Sequence, residues 1–248
     1  MAEAVLALRG LSKSFGGLSA VQGVDLEILP GDRAAVIGPN GAGKTTLFNL
    51  ITGVFPCSSG RIVLFGRDVT GWASHRRTAL GMARTFQITS LFPKLSLLDN
   101  VLLAIGGLRR TKFVMWRPLS RYRDLHDKAR GLLEGAGYWE RRDEEVRNLS
   151  HGEQRQIEIL LGLASDPKLL LLDEPAAGLS SGESREMAAF LKRLDPALAI
   201  LLIEHDMDVV FDVVSRISVL HFGQVVETGP AQAIRASARV QEIYLGTG

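Results

Sequence analysis

Several features that mark particular classes of protein are scarce in this chain of 248 residues. Its single cysteine, Cys57, cannot close an intramolecular disulfide, which favours a reducing compartment. The formal net charge is only +2, so the composition does not indicate a broad nucleic-acid surface. We therefore expect no nucleic acid among the partners of this protein.

Long hydrophobic runs are also missing. No stretch reaches the ~20 apolar residues that a membrane span requires, and the best candidate, residues 97–108, is interrupted by Asp99 and Asn100. The first residues show no basic segment followed by a long apolar run, so we expect no secretion signal. If the protein serves a membrane, the sequence predicts that it does so from outside the bilayer.

The composition that remains is that of an ordinary globular protein, with 46% hydrophobic and 23% charged residues. The length suits one large domain, or one domain that carries a substantial insertion. Strands bounded by Gly and Pro dominate the first third, and strands alternate with helices in the last hundred residues. This alternation predicts an α/β fold with a mostly parallel sheet covered by helices. The predicted strands are 24–28, 34–37, 61–65, 168–172, 199–203, 217–220 and 225–228, and predicted helices include 45–51 and 183–193.

The middle of the chain, from about residue 96 to residue 147, has a helical pattern with many arginines and few β-branched residues. Apolar residues recur there at the spacing of one helix face. The sequence therefore predicts a helical insertion rather than a further part of the sheet. The residues on the predicted face are Tyr122, Leu125, Ala129, Leu132, Leu133 and Ala136.

A segment between a buried strand and a helix matches the eight-position phosphate-loop pattern in full. Glycines let backbone N–H groups turn towards phosphates, and the helix N-terminus adds about half a positive charge. Lys44 is placed to reach the β- and γ-phosphates of a nucleotide, and the Thr45 hydroxyl to bind Mg²⁺. The alternative, a chance Gly-rich turn, is disfavoured by the flanking strand and helix. The candidate nucleotide-binding residues are Gly38, Pro39, Asn40, Gly41, Ala42, Gly43, Lys44, Thr45 and the adjacent Thr46.

Two acidic residues, Asp173 and Glu174, follow four consecutive leucines. An acidic pair at a strand end is often a helix cap or a turn. Because a complete phosphate loop lies upstream, we expect Asp173 to hold Mg²⁺ as a second partner to Thr45. Glu174 is then placed to act as a general base on the attacking water.

The segment that begins at Ser150 supports two interpretations. Ser150 and Glu153 have the spacing of a capping box ahead of an apolar helix face, which is a common structural motif. A serine hydroxyl and the bare N–H groups of a helix N-terminus also suit an anion. On this segment alone the structural interpretation is favoured.

Taken in order, the phosphate loop, Leu149-Ser150-His151-Gly152-Glu153 and Asp173-Glu174-Pro175 resemble the ABC ATPases over nearly the whole chain. The resemblance implies a P-loop NTPase core of residues 1–95 and 149–248, with an N-terminal antiparallel β subdomain and a helical subdomain inserted at 96–148. It also implies ATP and Mg²⁺ as ligands. Two such subunits, in a homo- or heterodimer, would pair head to tail. Ser150, Gly152 and Glu153 of one subunit would then meet the ATP that the other holds.

Further positions are carried over from that resemblance. Phe15 matches the aromatic residue that stacks on adenine, although a lone Phe is more often a core residue. Gln87 matches the glutamine that senses nucleotide and Mg²⁺ and contacts the membrane subunit, although it could be a polar residue at a strand end. His205 matches the histidine that touches the γ-phosphate, and with Glu174 and Lys44 it completes the candidate catalytic set.

Two positions depart from the family pattern, because His151 replaces a commoner Gly and Ser180 a commoner Asp. The first departure bears on backbone reach at the nucleotide. The second leaves the loop Gly178-Leu179-Ser180, which matches the family's communication loop between subunits, without its usual carboxylate. Neither removes a group that performs hydrolysis.

Within the family, segments such as Glu204-His205-Asp206-Met207 resemble the ATPases of branched-chain amino-acid importers. That resemblance implies transmembrane permease subunits, an indirect periplasmic solute-binding partner and a place on the cytoplasmic face of a bacterial inner membrane. ATPases of urea or amide importers and of lipopolysaccharide exporters remain alternatives. Outside transport, so do a soluble ABC-type ATPase and a nucleotide-binding module that does not hydrolyse.

Overall fold

The computed structural model describes residues 3–85, 91–107 and 123–245. Strands β1 to β5 span Leu6–Phe15, Leu18–Ile28, Arg33–Ile37, Ser59–Leu64 and Arg67–Asp68, and β6 to β10 span Met82–Arg84, Leu169–Asp173, Ala199–Ile203, Arg216–His221 and Gln224–Pro230. Helices α1 to α5 span Lys44–Thr52, Ser74–Thr78, Leu97–Gly107, Arg123–Ala136 and His151–Leu163. Helices α6 to α9 span Ser181–Arg193, Met207–Val213, Ala231–Ala236 and Ala238–Leu245.

The strands form two sheets. A four-stranded antiparallel sheet has the order β2-β1-β4-β5, and a six-stranded sheet has the order β10-β9-β3-β8-β7-β6. Every pairing described in the larger sheet is parallel except that of β10 with β9. The predicted α/β class, with a mostly parallel sheet and an N-terminal antiparallel unit, is confirmed.

The central strands β3, β7 and β8 are apolar at every position except Arg33 and Asp173, because both of their faces are covered. Side chains of Leu170 and Leu172 belong to one hydrophobic cluster, together with residues of α5, α6 and α7. Those of Leu169 and Leu171 point the other way, into a second cluster shared with α1 and the antiparallel sheet. The alternation follows from the two-residue period of a strand. One face of the larger sheet therefore packs against α5, α6 and α7, and the other packs against α1 and the antiparallel sheet.

A buried arginine fixes the end of α1. The Arg77 side chain is fully buried, and its Nη1 donates to the carbonyl oxygens of Leu50 and Ile51, both at 2.7 Å. These carbonyls lie in the last turn of α1, where a cation is favoured by the helix dipole. The helix whose N-terminus follows Gly43 is therefore anchored at its far end.

The helical pattern predicted for the middle of the chain corresponds to α3, α4 and two short 3₁₀ turns at Trp139–Arg141 and Val146–Asn148. Leu125, Ala129 and Leu133 are buried along α4, as its periodicity predicts. Tyr122 lies outside the described residues. Among the helices that the structure describes, none combines the length and apolar character required to cross a bilayer.

Predicted boundaries differ from the observed ones where local backbone geometry decides. The predicted strand 61–65 ends one residue early, because Phe65 has a φ of 49° and starts a turn with Gly66. The predicted helix 183–193 begins at Ser181, since Ser180 is its N-cap. Only the last part of β2 was predicted, because its first residues lack clear alternation of apolar side chains.

Candidate functional site

The loop between β3 and α1 is shaped by glycines whose left-handed backbone is required by close neighbours. Gly38 has a φ of 155°, and a Cβ there would lie 2.0 Å from the Leu220 carbonyl oxygen. Gly43 has a φ of 103°, and its Cβ would lie 2.3 Å from the carbonyl oxygen of Ala20. No side chain fits at either position, so the loop can pack tightly on β2 and on the end of β9.

The β9–β10 turn forms a floor beneath this loop. The Gly223 N–H donates to the Ala42 carbonyl oxygen at 2.9 Å, and the Gln22 N–H donates to the Gly223 oxygen at 2.8 Å. The Gln22 side-chain amide also donates to the carbonyl oxygen of Phe222 at 3.0 Å. These bonds hold the loop from below and leave its other side open to a ligand.

Lys44, the first residue of α1, is only 8% exposed. Its Nζ donates to the carbonyl oxygens of Gly38 at 2.6 Å and Pro39 at 3.0 Å, which curls the side chain back over the loop. Desolvation lowers the pKa of Lys44, although the nearby carboxylates of Glu174 and Asp173 oppose that shift. The loop and the helix N-terminus together place positive charge where a phosphate chain can lie.

A cavity of about 620 Å³ opens above the loop and brings most of the predicted nucleotide site together. Phe15 lies on its wall, 44% exposed and in edge-to-face contact with Phe55 at 5.7 Å between ring centroids, so Phe15 is not a core residue. A larger cleft of about 750 Å³ lies beside Lys168 and Asp195, which precede β7 and β8. Ligands of parallel sheets bind at the carboxyl ends of strands, which favours the first cavity. The predicted residues that line it are Phe15, Asn40, Gly41, Ala42, Gly43, Lys44, Thr45, Thr46 and Glu174.

Asp173 ends β7 and is buried, at 5% exposure. Its Oδ2 accepts from Arg84 Nη2 at 2.6 Å, and Arg84 Nη1 donates to Asn49 Oδ1 on α1 at 2.7 Å. The other carboxylate oxygen, Oδ1, is buried and has no hydrogen-bond partner among the described residues. A buried oxygen of this kind fits a hard divalent cation such as Mg²⁺, which needs few protein ligands when phosphates supply the others.

Glu174 and His205 leave the ends of the neighbouring strands β7 and β8 and meet there. Glu174 has a φ of 50°, uncommon for a residue with a side chain, and its N–H donates to the Ile203 oxygen at 2.9 Å. His205 Nδ1 lies 3.9 Å from Glu174 Oε2, and most of the imidazole is exposed. The structure therefore brings these two predicted catalytic residues together beside the cavity. Gln87, which was predicted to sense nucleotide and Mg²⁺ and to contact the membrane subunit, lies outside the described residues.

The predicted capping box at the start of α5 is confirmed. Ser150 Oγ accepts from the Glu153 N–H at 3.2 Å, and Glu153 Oε2 accepts from the Ser150 N–H at 2.8 Å. Glu153 also pairs with Arg141, and the Gly152 N–H donates to Glu183 Oε1 at 3.0 Å. Ser150, Gly152 and Glu153 are not among the described residues that line the cavity above the phosphate loop. Within one chain these residues are not brought to the phosphate loop.

Comparison with known proteins identifies the family. The model of the family described as "ABC transporter" matches residues 21–177. The chain belongs to the ABC transporter family. It is 36% identical over 253 residues to the high-affinity branched-chain amino acid transport ATP-binding protein LivG of Escherichia coli K12, with 99% of each chain covered. It is 34% identical to the corresponding protein BraF of Pseudomonas aeruginosa, again with 99% of each chain covered.

Solved structures agree with this membership. The ADP conformation of MJ1267, an ATP-binding cassette of an ABC transporter, superposes with a TM-score of 0.86 at 28% identity and covers 98% of this chain and 99% of its own. A nucleotide-free cassette superposes with a TM-score of 0.83 at 27% identity, covering 98% and 99%. The fold therefore agrees with that of solved ABC cassettes over 98% of the chain.

The two departures from the ABC family pattern meet at one place in the structure. Ser180 caps α6, and its hydroxyl and N–H both donate to Glu183 Oε2. The His151 ring lies 3.7 Å from the position that a Cβ on Gly178 would occupy. N–H donation from Ser180 and Gly152 holds the pKa of Glu183 at about 2. One carboxylate thus joins the N-termini of α5 and α6.

Three residues of this ABC cassette contact the candidate site although the sequence did not single them out: Arg84, Glu183 and Glu204. Arg84 lies three positions before Gln87, the residue of this segment that the family resemblance singled out. Glu183 has the Ser-x-x-Glu spacing of a second capping box, which could have revealed it. For Glu204, which directly precedes His205, an acidic residue at the end of an apolar strand was the available signal.

Proposed function

We propose that this chain is the ATP-binding and hydrolysing subunit that powers an ABC importer for branched-chain or related small amino acids. The observation that carries the ATPase is the meeting of Lys44 and Glu174 at one cavity above a complete phosphate loop. The choice of cargo is supported by the similarity to LivG and BraF, which extends over 99% of each chain.

Binding of ATP uses groups that the loop already orients. N–H groups of residues 40–46 and the Lys44 ammonium hold the phosphates, and the exposed face of Phe15 takes the adenine ring. Thr45 and Asp173 would hold Mg²⁺, with Gln87 as a further ligand. When bound, the ion neutralises charge that develops on the β- and γ-phosphates.

Hydrolysis requires a base and a group that stabilises the phosphoryl oxygens. Glu174 takes the proton from the attacking water as the water oxygen bonds to the γ-phosphorus, and the bond to the bridging oxygen of ADP breaks. His205 lies within ion-pair distance of Glu174, and we expect it to contact the γ-phosphate. In the same step, Glu174 therefore acts on the attacking water and His205 acts on the γ-phosphate.

A second subunit completes the site. Ser150, Gly152 and Glu153 lie away from the cavity of their own chain, at the N-terminus of α5, where backbone N–H groups favour an anion. In a head-to-tail dimer these groups face the ATP of the partner, and residues 178–180 communicate between the subunits. ATP binding closes the dimer, and product release reopens it.

The dimer works on transmembrane permease subunits from the cytoplasmic face of a bacterial inner membrane. A periplasmic solute-binding protein delivers the amino acid to those subunits on the other side. The permease contact involves the segment from Gln87 into the helical subdomain. Stable association with protein-free liposomes at physiological salt would contradict this arrangement.

The ATPase is tested with Glu174→Gln. General-base removal costs about 10²–10⁴ in rate, so ATP binding measured by calorimetry should persist while phosphate release falls by that factor. Glu242→Gln, at an exposed position of α9, is the matched control and should behave as the unaltered protein. Turnover of Glu174→Gln at the control rate would contradict the assignment.

The cargo is tested on the transporter purified from membranes with its permease subunits and reconstituted into vesicles. We expect ATP-dependent uptake of labelled leucine, isoleucine or valine with the matching solute-binding protein. Uptake of urea or short amides, and none of these amino acids, would reject the amino-acid assignment but leave the ATPase intact.

A further inference from the structure

Glu204 is a fully buried carboxylate at the end of β8, with a relative exposure of 0%. It lies between two loops that matter for hydrolysis, one that begins with Glu174 and one that carries His205. A buried carboxylate is costly unless its oxygens are well satisfied, and burial raises the pKa of Glu204 although three backbone N–H groups oppose that shift. The residue therefore needs an explanation beyond filling space.

The contacts of Glu204 divide between the two loops. Its Oε1 accepts from the Ala176 N–H at 2.8 Å, two residues beyond Glu174. Its Oε2 accepts from the N–H groups of His205 at 2.8 Å and Asp206 at 3.3 Å. One rigid carboxylate thus spans the ends of β7 and β8 on the side of the candidate catalytic groups.

The same carboxylate faces the imidazole. His205 Nδ1 lies 3.4 Å from Glu204 Oε2 and 3.9 Å from Glu174 Oε2, so both nearest acidic oxygens are on the Nδ1 side of the ring. Negative charge on that side favours a proton on Nδ1 and fixes the orientation of the ring. The opposite nitrogen, Nε2, is then directed away from the two carboxylates.

We propose that Glu204 is a positioning residue for ATP hydrolysis, which bridges the Glu174 and His205 loops and orients the His205 imidazole. The inference rests on the proposed ATPase function. It differs from a role in folding alone, because the bridge holds two groups whose separation matters only when they act on one water and one phosphate. Misplacement of a reacting group by about 1 Å can cost about 10²-fold in rate.

The decisive variant is Glu204→Gln, which keeps the side-chain volume but has one acceptor oxygen in place of two. Whichever loop that oxygen serves, an NH₂ group faces the donors of the other. We expect kcat for ATP to fall by about 10–100-fold, while the Kd for ATP changes by less than about threefold, because the phosphate loop is untouched. Arg33→Met is the control. Arg33 begins β3, at the opposite end of the sheet from the site, and its guanidinium donates to the carbonyl oxygens of Leu191 at 2.7 Å and Leu194 at 2.8 Å, so this change should lower stability and leave kcat unchanged.

A double-mutant cycle with His205→Ala separates positioning from a general structural defect. If Glu204 acts through His205, Glu204→Gln should lower kcat far less in the His205→Ala background than in the unaltered protein. Independent effects would instead multiply. Multiplicative effects, or a kcat of Glu204→Gln within twofold of the unaltered protein, would overturn the proposal.

A second variant covers the case in which Glu204→Gln does not fold. Glu204→Asp keeps the charge but is one methylene shorter, so its carboxylate cannot reach both loops. We expect kcat to fall by less than in Glu204→Gln, with unchanged affinity for ATP. Full activity of this variant would overturn the proposal. If Glu174→Gln also hydrolyses ATP normally, it is the proposed function that fails. If Glu174→Gln is inactive and the Glu204 variants are normal, only the present inference fails.

Discussion

Arg84→Met offers a test of how the candidate cation site is held together before any ligand binds. The Arg84–Asp173 pair is buried on both sides, at 8% and 2% side-chain exposure, with 2.6 Å between Nη2 and Oδ2. Removal of one member of a buried pair typically costs about 3–5 kcal/mol, because the remaining charge stays desolvated. Arg84 also donates to Asn49 Oδ1 and Thr52 Oγ1 on α1, at 2.7 and 3.2 Å, so we expect the upper part of that range.

The measurement is urea denaturation without nucleotide or Mg²⁺, where a stability of roughly 5–15 kcal/mol makes such a loss easy to resolve. Arg9→Met is the matched control, because the Arg9–Glu27 pair is exposed, 3.7 Å long and worth about 0–1 kcal/mol. Asp173→Asn in the Arg84→Met background removes the stranded charge and should restore part of the stability. A cost of Arg84→Met no larger than that of Arg9→Met, or a double variant no more stable than the single one, would refute the reasoning.

Three further predictions concern the loop, the composite site and the α5–α6 contact. Lys44→Ala should weaken ATP binding and turnover together, and unchanged affinity by calorimetry with Mg²⁺ would count against the phosphate-loop interpretation. Ser150→Ala should cost about 1 kcal/mol of stability as a lost cap and should damage hydrolysis well beyond that cost. Mixing inactive Lys44→Ala and Ser150→Arg should restore up to half of the activity per mixed dimer, because one site then carries both lesions and the other none. Confirmed mixed dimers that stay inactive would contradict the shared site. Glu183→Gln should lower the thermal unfolding midpoint at neutral pH. Because the pKa of Glu183 is lowered from 4.5 to about 2 in the folded protein, its carboxylate stabilises the fold fully above pH 4.5, and this contribution is lost as the pH falls towards about 2. The difference in unfolding midpoint between Glu183→Gln and the unaltered protein should therefore shrink through that window. A constant difference would reject the linkage.

Sequence reasoning reached the phosphate loop, Glu174 and the central strands because each has a local signature. The sequence itself shows Gly38, Gly43 and the apolar run before Asp173, without knowledge of the residues that they contact. The α/β class and the capping box at Ser150 followed from spacing alone, and both are confirmed.

The contacts that organise the site could not be predicted in the same way, because they join residues distant in the chain. Arg84 and Asp173 are 89 positions apart, and the pair forms only because β6 and β7 are neighbours in the sheet. Glu204 follows an apolar strand, but neither its burial nor its bond to Ala176 can be inferred from the sequence. The length of β2 was missed because its bulged pairing with β1 disrupts the alternation on which strand prediction depends.

The floor beneath the phosphate loop also has a consequence for synthesis of the chain. Gln22 and Phe222, which meet under that loop, are 200 positions apart. At about 5–20 residues per second, the ribosome needs roughly 10–40 s to deliver the second after the first. During most of that interval the glycine-rich loop has emerged and can pack on β2, but it lacks the β9–β10 turn beneath it. The loop therefore gains its floor only after residue 223 has been synthesised, so a finished phosphate loop reports that β9 has joined the sheet.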